Sequence, residues 1–214
     1  MTISAGAIGA TTLLILARES GALERQGDDV VVPLRFLTAK EARVVSAACE
    51  RIFPRDASGP GATDAGVIIY IDRQLAGPYG RDKYRYTKPP FVTSVPEHGY
   101  QAKENPRQMY RAGIRDLGNF DELAVDEQIR KLKEIETSSF FQLLRRHTIE
   151  GMFCDPMHGG NADLVGWALI GYPGPQWSYR DDIDRHFGQA WRPKATTVEQ
   201  LMGHVPPLME DESE

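Results

Sequence analysis

In the patterned segments of this chain, apolar residues recur every three or four positions, and no segment shows the repeated alternation of a half-buried strand. The clearest case is residues 38–54, where four apolar residues share one helical face: Ala42, Val45, Cys49 and Ile52. Thr38 and Glu41 fit a capping box, in which each side chain satisfies a backbone N–H at the helix start. Helices patterned in this way bury their apolar faces against one another, so we predict an all-α fold.

Further segments favour helices. The run "TDAGVIIYIDRQLAGPYG" carries an apolar stripe that stops at Gly77-Pro78. Asn105 caps the next helix, with Pro106 in its first turn, where the missing N–H costs nothing. Three more helices are predicted at residues 125–135, 138–154 and 163–170. In the helix at 125–135, the residues expected to face inward are Ile129, Leu132 and Ile135. In the helix at 138–154, they are Phe141, Leu144, Thr148 and Met152. The prediction is a compact domain of about five or six helices.

Two segments rich in proline and aromatic residues flank or interrupt these helices. Residues 79–104 form a long loop, and loops of this length in a compact domain are usually functional or partner-bound. Residues 177–214 read as an extended arm with at most one helical turn, near Val198 to Met202. The arm ends in "MEDESE", a short acidic run typical of a solvated tail. The helical domain is therefore placed at residues 36–176, after a linker at 23–35.

Residues 1–22 differ in character from the rest of the chain. The stretch from Ile3 to Ala17 carries no charge and is shorter than the roughly 20 apolar residues needed to cross a bilayer. Its length and small residues suit the apolar region of an export leader, with Ser20 and Ala22 as a cleavage site. No positive segment precedes it. We therefore expect a truncated export leader, with an uncleaved N-terminal anchor or an ordinary helix as the alternatives.

Charge and cysteine content narrow the class of protein. The net charge of -5 does not indicate nucleic-acid binding, because proteins that bind nucleic acid usually carry a clustered basic surface. Cys49 and Cys154 are the only cysteines. Their even number and an export leader permit a disulfide, whereas buried free thiols are the alternative. No Cys-x-x-Cys pair is present, which disfavours the usual zinc, iron–sulfur and haem-attachment spacings.

The chain lacks a convincing catalytic set. No G-x-G-x-x-G fingerprint follows a strand, and no serine lies in a G-x-S-x-G turn. His147 and Glu150 lie within one helical turn, which is half of a zinc site, and His158 in the following turn is a candidate second ligand. A metal-dependent enzyme using these three residues is the alternative hypothesis. The simpler interpretation makes His147 a helix-surface or interface histidine.

The turn "DPMHGGNADL" raises a separate question, because glycines before a helix can cradle an anion. Asp155 and Asp163 argue against phosphate there, so a tight turn capped by Asn161 is the simpler interpretation. Aromatic residues are concentrated in the loops, where Tyr, Trp and Arg often anchor protein interfaces. Covering a small helical core is the other role open to them. A small domain with two long aromatic segments nevertheless suits a subunit that wraps a larger neighbour.

The order of residues in the second half of the domain is the most specific feature. Thr148, Glu150-Gly151 and Asp155-Pro156 are followed by Gly159-Gly160-Asn161, Gly166-Trp167 and "GYPGP" from Gly171. Together with "FLTAKEARVVSAACERIFP" and the glycine-rich loop after it, this order resembles the gluconate 2-dehydrogenase subunit 3 family. The resemblance runs from about Phe36 to Gln176.

This resemblance implies a small, non-catalytic subunit in the periplasm. Family members accompany a large FAD-dependent dehydrogenase subunit that oxidises sugars or sugar acids, and a multihaem cytochrome c subunit often carries the electrons to the membrane. The chain itself is then expected to bind no cofactor and to reach the membrane through its partners. Such subunits commonly bear a twin-arginine (Tat) export signal, but no Arg-Arg precedes Ile3.

A docking surface for the flavoprotein is the expectation for the loops. The interface residues predicted on this basis are Tyr84, Tyr86, Phe91, His158, Gly159, Gly160, Asn161, Trp167, Tyr172, Pro173 and Pro175.

Overall fold

The computed structural model describes residues 22–23, 32–85, 89–91, 95–98, 103–191 and 193–203. Most of the expected leader, Tyr86 and the acidic tail lie outside the described residues. The described chain is mainly helical, which confirms the all-α prediction. Its one small sheet pairs two antiparallel two-residue strands, β1 (Ala22–Leu23) and β2 (Val32–Pro33).

Six helices build the domain that the sequence predicts at residues 36–176. They are α1 (Ala39–Ile52), α2 (Val67–Ala76), α3 (Pro106–Leu117), α4 (Val125–Glu134), α5 (Ser139–Phe153) and α6 (Val165–Ile170). Five short 3-10 turns join them or follow them, at Tyr79–Arg81, Pro96–His98, Phe120–Glu122, Pro156–His158 and Ala162–Leu164. In the described residues, no helix is long and apolar enough to span a membrane.

The expected helix starts are confirmed. Thr38 Oγ1 accepts from the Glu41 N–H, and the Glu41 carboxylate accepts from the Thr38 N–H at 2.9 Å, which completes the capping box of α1. Asn105 caps α3 with Pro106 at the first helical position. Gln108 closes a second capping box there, which the sequence analysis did not identify.

The core lies between α1, α2, α3 and α5. Helix α2 is its centre, since seven of its ten residues are buried: Val67, Ile68, Ile69, Tyr70, Ile71, Asp72 and Leu75. Helix α3 packs closely on α5 where Gly113 meets the ring of Phe140; a Cβ at Gly113 would overlap that ring. Burying a Val, Ile, Leu or Phe side chain contributes about 1.5–3 kcal/mol, so this four-helix contact is the main source of stability.

A buried carboxylate fixes the entry of the chain into this core. Asp72 of α2 is 2% exposed and accepts hydrogen bonds from three consecutive backbone N–H groups, those of Arg35, Phe36 and Leu37, at 2.7, 3.0 and 2.8 Å. Backbone donors satisfy the charge that burial would otherwise penalise. The segment before α1 is thereby held against α2.

Two predictions about packing are wrong. Ile129 was expected to face inward from α4, yet it is 37% exposed, because α4 contacts the core through Leu132 and Gln128 at the edge of the bundle. The arm was expected to be extended, but it contains a helix, α7 (Arg180–His186), before the predicted turn at α8 (Val198–Met202).

Candidate functional site

His147 of α5 is enclosed by two tyrosines rather than displayed on the surface. The side chain is 1% exposed. The Tyr110 hydroxyl lies 2.9 Å from its Nδ1, and the Tyr79 hydroxyl lies 2.8 Å from its Nε2. The ring also stacks on Tyr110, with centroids 5.6 Å apart and planes 14° from parallel. The expectation of a helix-surface histidine is therefore wrong: His147 connects α5 to α3 and to the start of the 79–104 segment.

Burial sets the protonation states in this cluster. It lowers the pKa of His147 to about 3, with the nearby Arg146 charge as a smaller cause. Burial also raises the pKa of the Tyr110 hydroxyl well above its usual value. At neutral pH the cluster is an uncharged hydrogen-bonded unit, which is the form that a low-dielectric interior favours.

The three residues of the metal-enzyme alternative do not form a ligand set. Both ring nitrogens of His147 are occupied by tyrosine hydroxyls, and Glu150 accepts a hydrogen bond from Tyr70 at 2.9 Å. His158 lies on the exposed turn after α5. Among the described residues, no group of three or more His, Cys, Asp or Glu side chains could hold a metal ion. The geometry therefore does not support the metal-dependent alternative.

The two cysteines are also separate. Both are free thiols, so the disulfide that their number permitted is not formed. Cys49 is buried in α1 and accepts a hydrogen bond from Thr148 at 3.3 Å, and burial raises its thiol pKa to about 12. Burial likewise raises the pKa of Cys154 to about 11, so this thiol is a poor nucleophile at neutral pH.

The glycine-rich turn allows close packing of α6 on α5. Asn161 is fully buried: its side-chain N–H donates to the Cys154 carbonyl at 2.9 Å, and its oxygen accepts from the Gly166 N–H at 2.8 Å. A Cβ at Gly160 would overlap the Gly151 carbonyl oxygen, and one at Gly166 would overlap that of Met152. The glycines thus let α6 lie directly on α5, which agrees with the tight turn and not with an anion cradle.

Three predicted interface residues are internal as a result. Gly160, Asn161 and Trp167 are buried. The indole N–H of Trp167 donates to the Phe153 carbonyl at 2.8 Å, which anchors α6 to the end of α5. These residues shape the domain, and Trp167 also lines a pocket of about 340 Å³.

The other predicted interface residues divide by exposure. Tyr84 is 78% exposed and Tyr172 is 38% exposed, with its ring edge-on to Trp167 at 5.0 Å. Phe91 is half-buried beneath the Arg85 guanidinium. Pro173 and Pro175 are half-buried, as is Gly159 with its positive φ of 98°. The structure does not bring the 84–91 segment and the 155–175 turn into one described cavity.

Two open grooves include predicted residues. Trp167, Tyr172 and Pro173 line one of about 340 Å³ together with Trp191, Pro193 and Ala195 of the arm, and His158 lines a second. Its lining comes from α2, the second half of α5 and the turn that follows: Tyr70, Gln74, Ile149, Glu150, Phe153, Cys154 and His158. We call this the α2–α5 groove; its volume is about 400 Å³. Ile149 within it is 38% exposed, and Met157 beside His158 is 55% exposed. Apolar walls around the carboxylate of Glu150 suit an apolar side chain of a partner next to a donor or basic group.

Sequence reasoning missed most of this groove. Two exposed apolar residues were not identified: Ile149, which lines the groove from α5, and Met157, which lies next to the lining residue His158 in the turn after α5. Ile149 follows Thr148 of the buried face by one residue, which rotates it about 100° outward. That rotation was the available signal.

The described residues form an all-α domain whose buried polar groups hold helices together and whose surface includes an open, partly apolar groove. Residues 39–174 match the family described as Gluconate 2-dehydrogenase subunit 3, and the chain belongs to this family. The match confirms the resemblance found in the sequence and identifies an accessory subunit of a multi-subunit dehydrogenase. No curated protein and no solved structure shows a significant match to the chain.

Proposed function

We propose that this chain is the non-catalytic small subunit of a periplasmic, FAD-dependent complex of the gluconate 2-dehydrogenase type. It stabilises the large flavoprotein subunit, which oxidises a sugar or sugar acid, and escorts that subunit during export. FAD and haem c are held by the partners, the flavoprotein and a multihaem cytochrome c subunit. Contact with the membrane is made through these partners.

The observation that carries this proposal is the family match over residues 39–174, which takes in all six helices of the domain. The buried groups are consistent with a supporting role. Hydrogen bonds of three buried groups hold helices or chain segments together: the neutral His147 cluster, the Asp72 carboxylate and Asn161.

The α2–α5 groove is the surface that we assign to the flavoprotein. It lies inside the matched range, as a surface shared by family members must. Exposed Ile149 and Met157 provide the apolar contact, and Glu150 provides a hydrogen-bonded carboxylate for a basic group. Residues at the desolvated centre of an interface contribute most of its binding energy.

The test measures binding of the full chain to a flavoprotein subunit of the gluconate 2-dehydrogenase type from the same organism, purified with FAD. The double variant Ile149→Asp/Met157→Asp places one charge in the groove and one beside it, and it should weaken binding at least about 10-fold. The matched control is Val125→Asp on α4, which is 52% exposed and is not among the residues that line the groove.

Two results would contradict the proposal at different levels. If the unaltered chain does not bind the flavoprotein, the accessory role fails. If it binds but the groove variant binds equally well, while circular dichroism shows both to be folded, the docking surface lies elsewhere. The export role has its own readout: the flavoprotein should reach the periplasm only when it is co-expressed with this chain carrying an export leader.

A further inference from the structure

Helix α7 of the C-terminal arm displays an apolar face to solvent. Tyr179, Ile183 and Phe187 recur at every fourth position, from the residue before the helix to the residue after it, and therefore lie along one side. Their exposed fractions are 49%, 62% and 86%. We call these three residues the α7 stripe. Isolated exposed apolar residues are common, but an aligned set of this size marks an interaction surface.

The other sides of α7 are already in use within the arm. Arg185 lies 3.8 Å from Asp181, and His186 lies 3.9 Å from Asp182, each one turn apart. The ring of His186 also stacks on Trp191, with centroids 3.9 Å apart and planes at 7°. These contacts join residues on the other sides of α7, where Asp181 and Arg185 are also exposed, and none of them covers the stripe.

Charge indicates the chemistry of the partner. Residues 177–214 contain four basic and eight acidic residues, so this arm carries a charge of -4 out of the whole chain's -5. An acidic arm is repelled by anionic lipid headgroups, whereas membrane-surface helices are rich in Lys and Arg. It is attracted to a protein groove with a basic rim. Family membership supplies a protein partner, since the chain is a subunit of a larger enzyme.

We infer that the α7 stripe docks into an apolar, basic-rimmed groove on the large flavoprotein subunit, as a second contact separate from the α2–α5 groove. This inference rests on the proposed function. The stripe lies beyond residue 174, where the family match ends. Two separate contacts on one partner raise the overall affinity, because the second forms at high effective concentration.

The experiment compares full-length variants against the same purified flavoprotein. Ile183→Ser/Phe187→Ser removes the apolar stripe, and the control Val125→Ser/Ile129→Ser removes two exposed apolar side chains from α4. The stripe variant should bind about 10- to 100-fold more weakly, mainly through faster dissociation, and the control should bind as the unaltered chain does. The exposed positions leave the fold intact, which circular dichroism verifies.

A second experiment tests the charge argument. Asp184→Lys on α7 should weaken binding, and raising the salt concentration should weaken binding of the unaltered chain more than that of this variant. If the partner's groove had an acidic rim, Asp184→Lys would instead bind more tightly, and raised salt would strengthen binding of the unaltered chain.

The outcomes separate the two proposals. If the unaltered chain does not bind the flavoprotein, both fall. If it binds and the stripe variant binds equally well, only the inference about α7 falls, and the groove variant still tests the shared domain. The last experiment is co-sedimentation with phosphatidylglycerol–phosphatidylethanolamine vesicles. If the unaltered chain binds these vesicles and the stripe variant does not, the inference is overturned in favour of a lipid surface.

Discussion

At the scale of single residues, burial separates the groups that build the domain from those that face a partner. His147 shows why this separation is difficult to predict. It follows Arg145 and Arg146, two basic residues that favoured a surface or interface position for it, and both of these are exposed. Yet His147 follows Leu143 by four residues and Leu144 by three, and both leucines are buried. The position was predictable from that spacing, whereas the two tyrosine partners come from distant segments and were not.

The first prediction concerns acid stability. In the unfolded chain His147 binds a proton below about pH 6.5, but in the native state it binds one only near its lowered pKa of about 3. The unfolded state therefore holds more protons in this window, and stability must fall as the pH falls. Between pH 6.5 and 5 the loss attributable to His147 is about 2 kcal/mol. Urea unfolding at both pH values, for the unaltered chain and for His147→Gln, measures it.

In that comparison His147→Gln should be less stable at pH 6.5 but should lose less stability on acidification. His158→Gln is the control, since it removes an exposed histidine from the turn after α5. Equal losses in the unaltered chain and in His147→Gln would show that other groups cause the acid sensitivity.

At the scale of elements, local signals predicted the helices whose ends have side-chain caps or proline. Thr38 with Glu41, and Asn105 with Pro106, placed the starts of α1 and α3 correctly because the capping interactions span only three residues. Helix α7 was missed because it is seven residues long and no side chain caps it. The buried turn around Asn161 was predicted as a turn, but its contacts with α5 depend on packing that local sequence does not encode.

The second prediction tests the packing of α6 on α5. Gly166→Ala places a Cβ against the Met152 carbonyl oxygen, and because backbone cannot yield as a flexible side chain does, the helices must separate. We expect a loss of about 2 kcal/mol or more in the free energy of unfolding. Gly203→Ala is the control, because its Cβ would meet its neighbours at ordinary contact distances of 3.5 and 3.6 Å. Unfolding in urea that shows equal stability for both variants would contradict the close approach.

At the scale of the whole molecule, the core lies inside the segment that the sequence analysis assigned to the helical domain, residues 36–176, while the boundary at residue 176 itself stays a prediction. The buried apolar residues run from Leu37 to Trp167. The described arm adds contacts with the domain through two backbone donors: Thr196 N–H to the Pro173 carbonyl at 3.0 Å, and Val198 N–H to the Asp155 carboxylate at 2.7 Å. What the sequence did not predict is that the arm folds back over residues 155–174 instead of extending away.

The third prediction follows from this arrangement. A chain ending at residue 176 should remain folded and cooperative, because its core is complete. Loss of the Thr196 and Val198 hydrogen bonds should cost about 2 kcal/mol. A chain ending at residue 203 keeps both contacts and should match the full chain in urea unfolding. If the 176-residue chain lacks a cooperative transition, the arm belongs to the folding unit. If it folds but binds the flavoprotein as tightly as the full chain, the arm has no share in docking, whatever it contributes to stability.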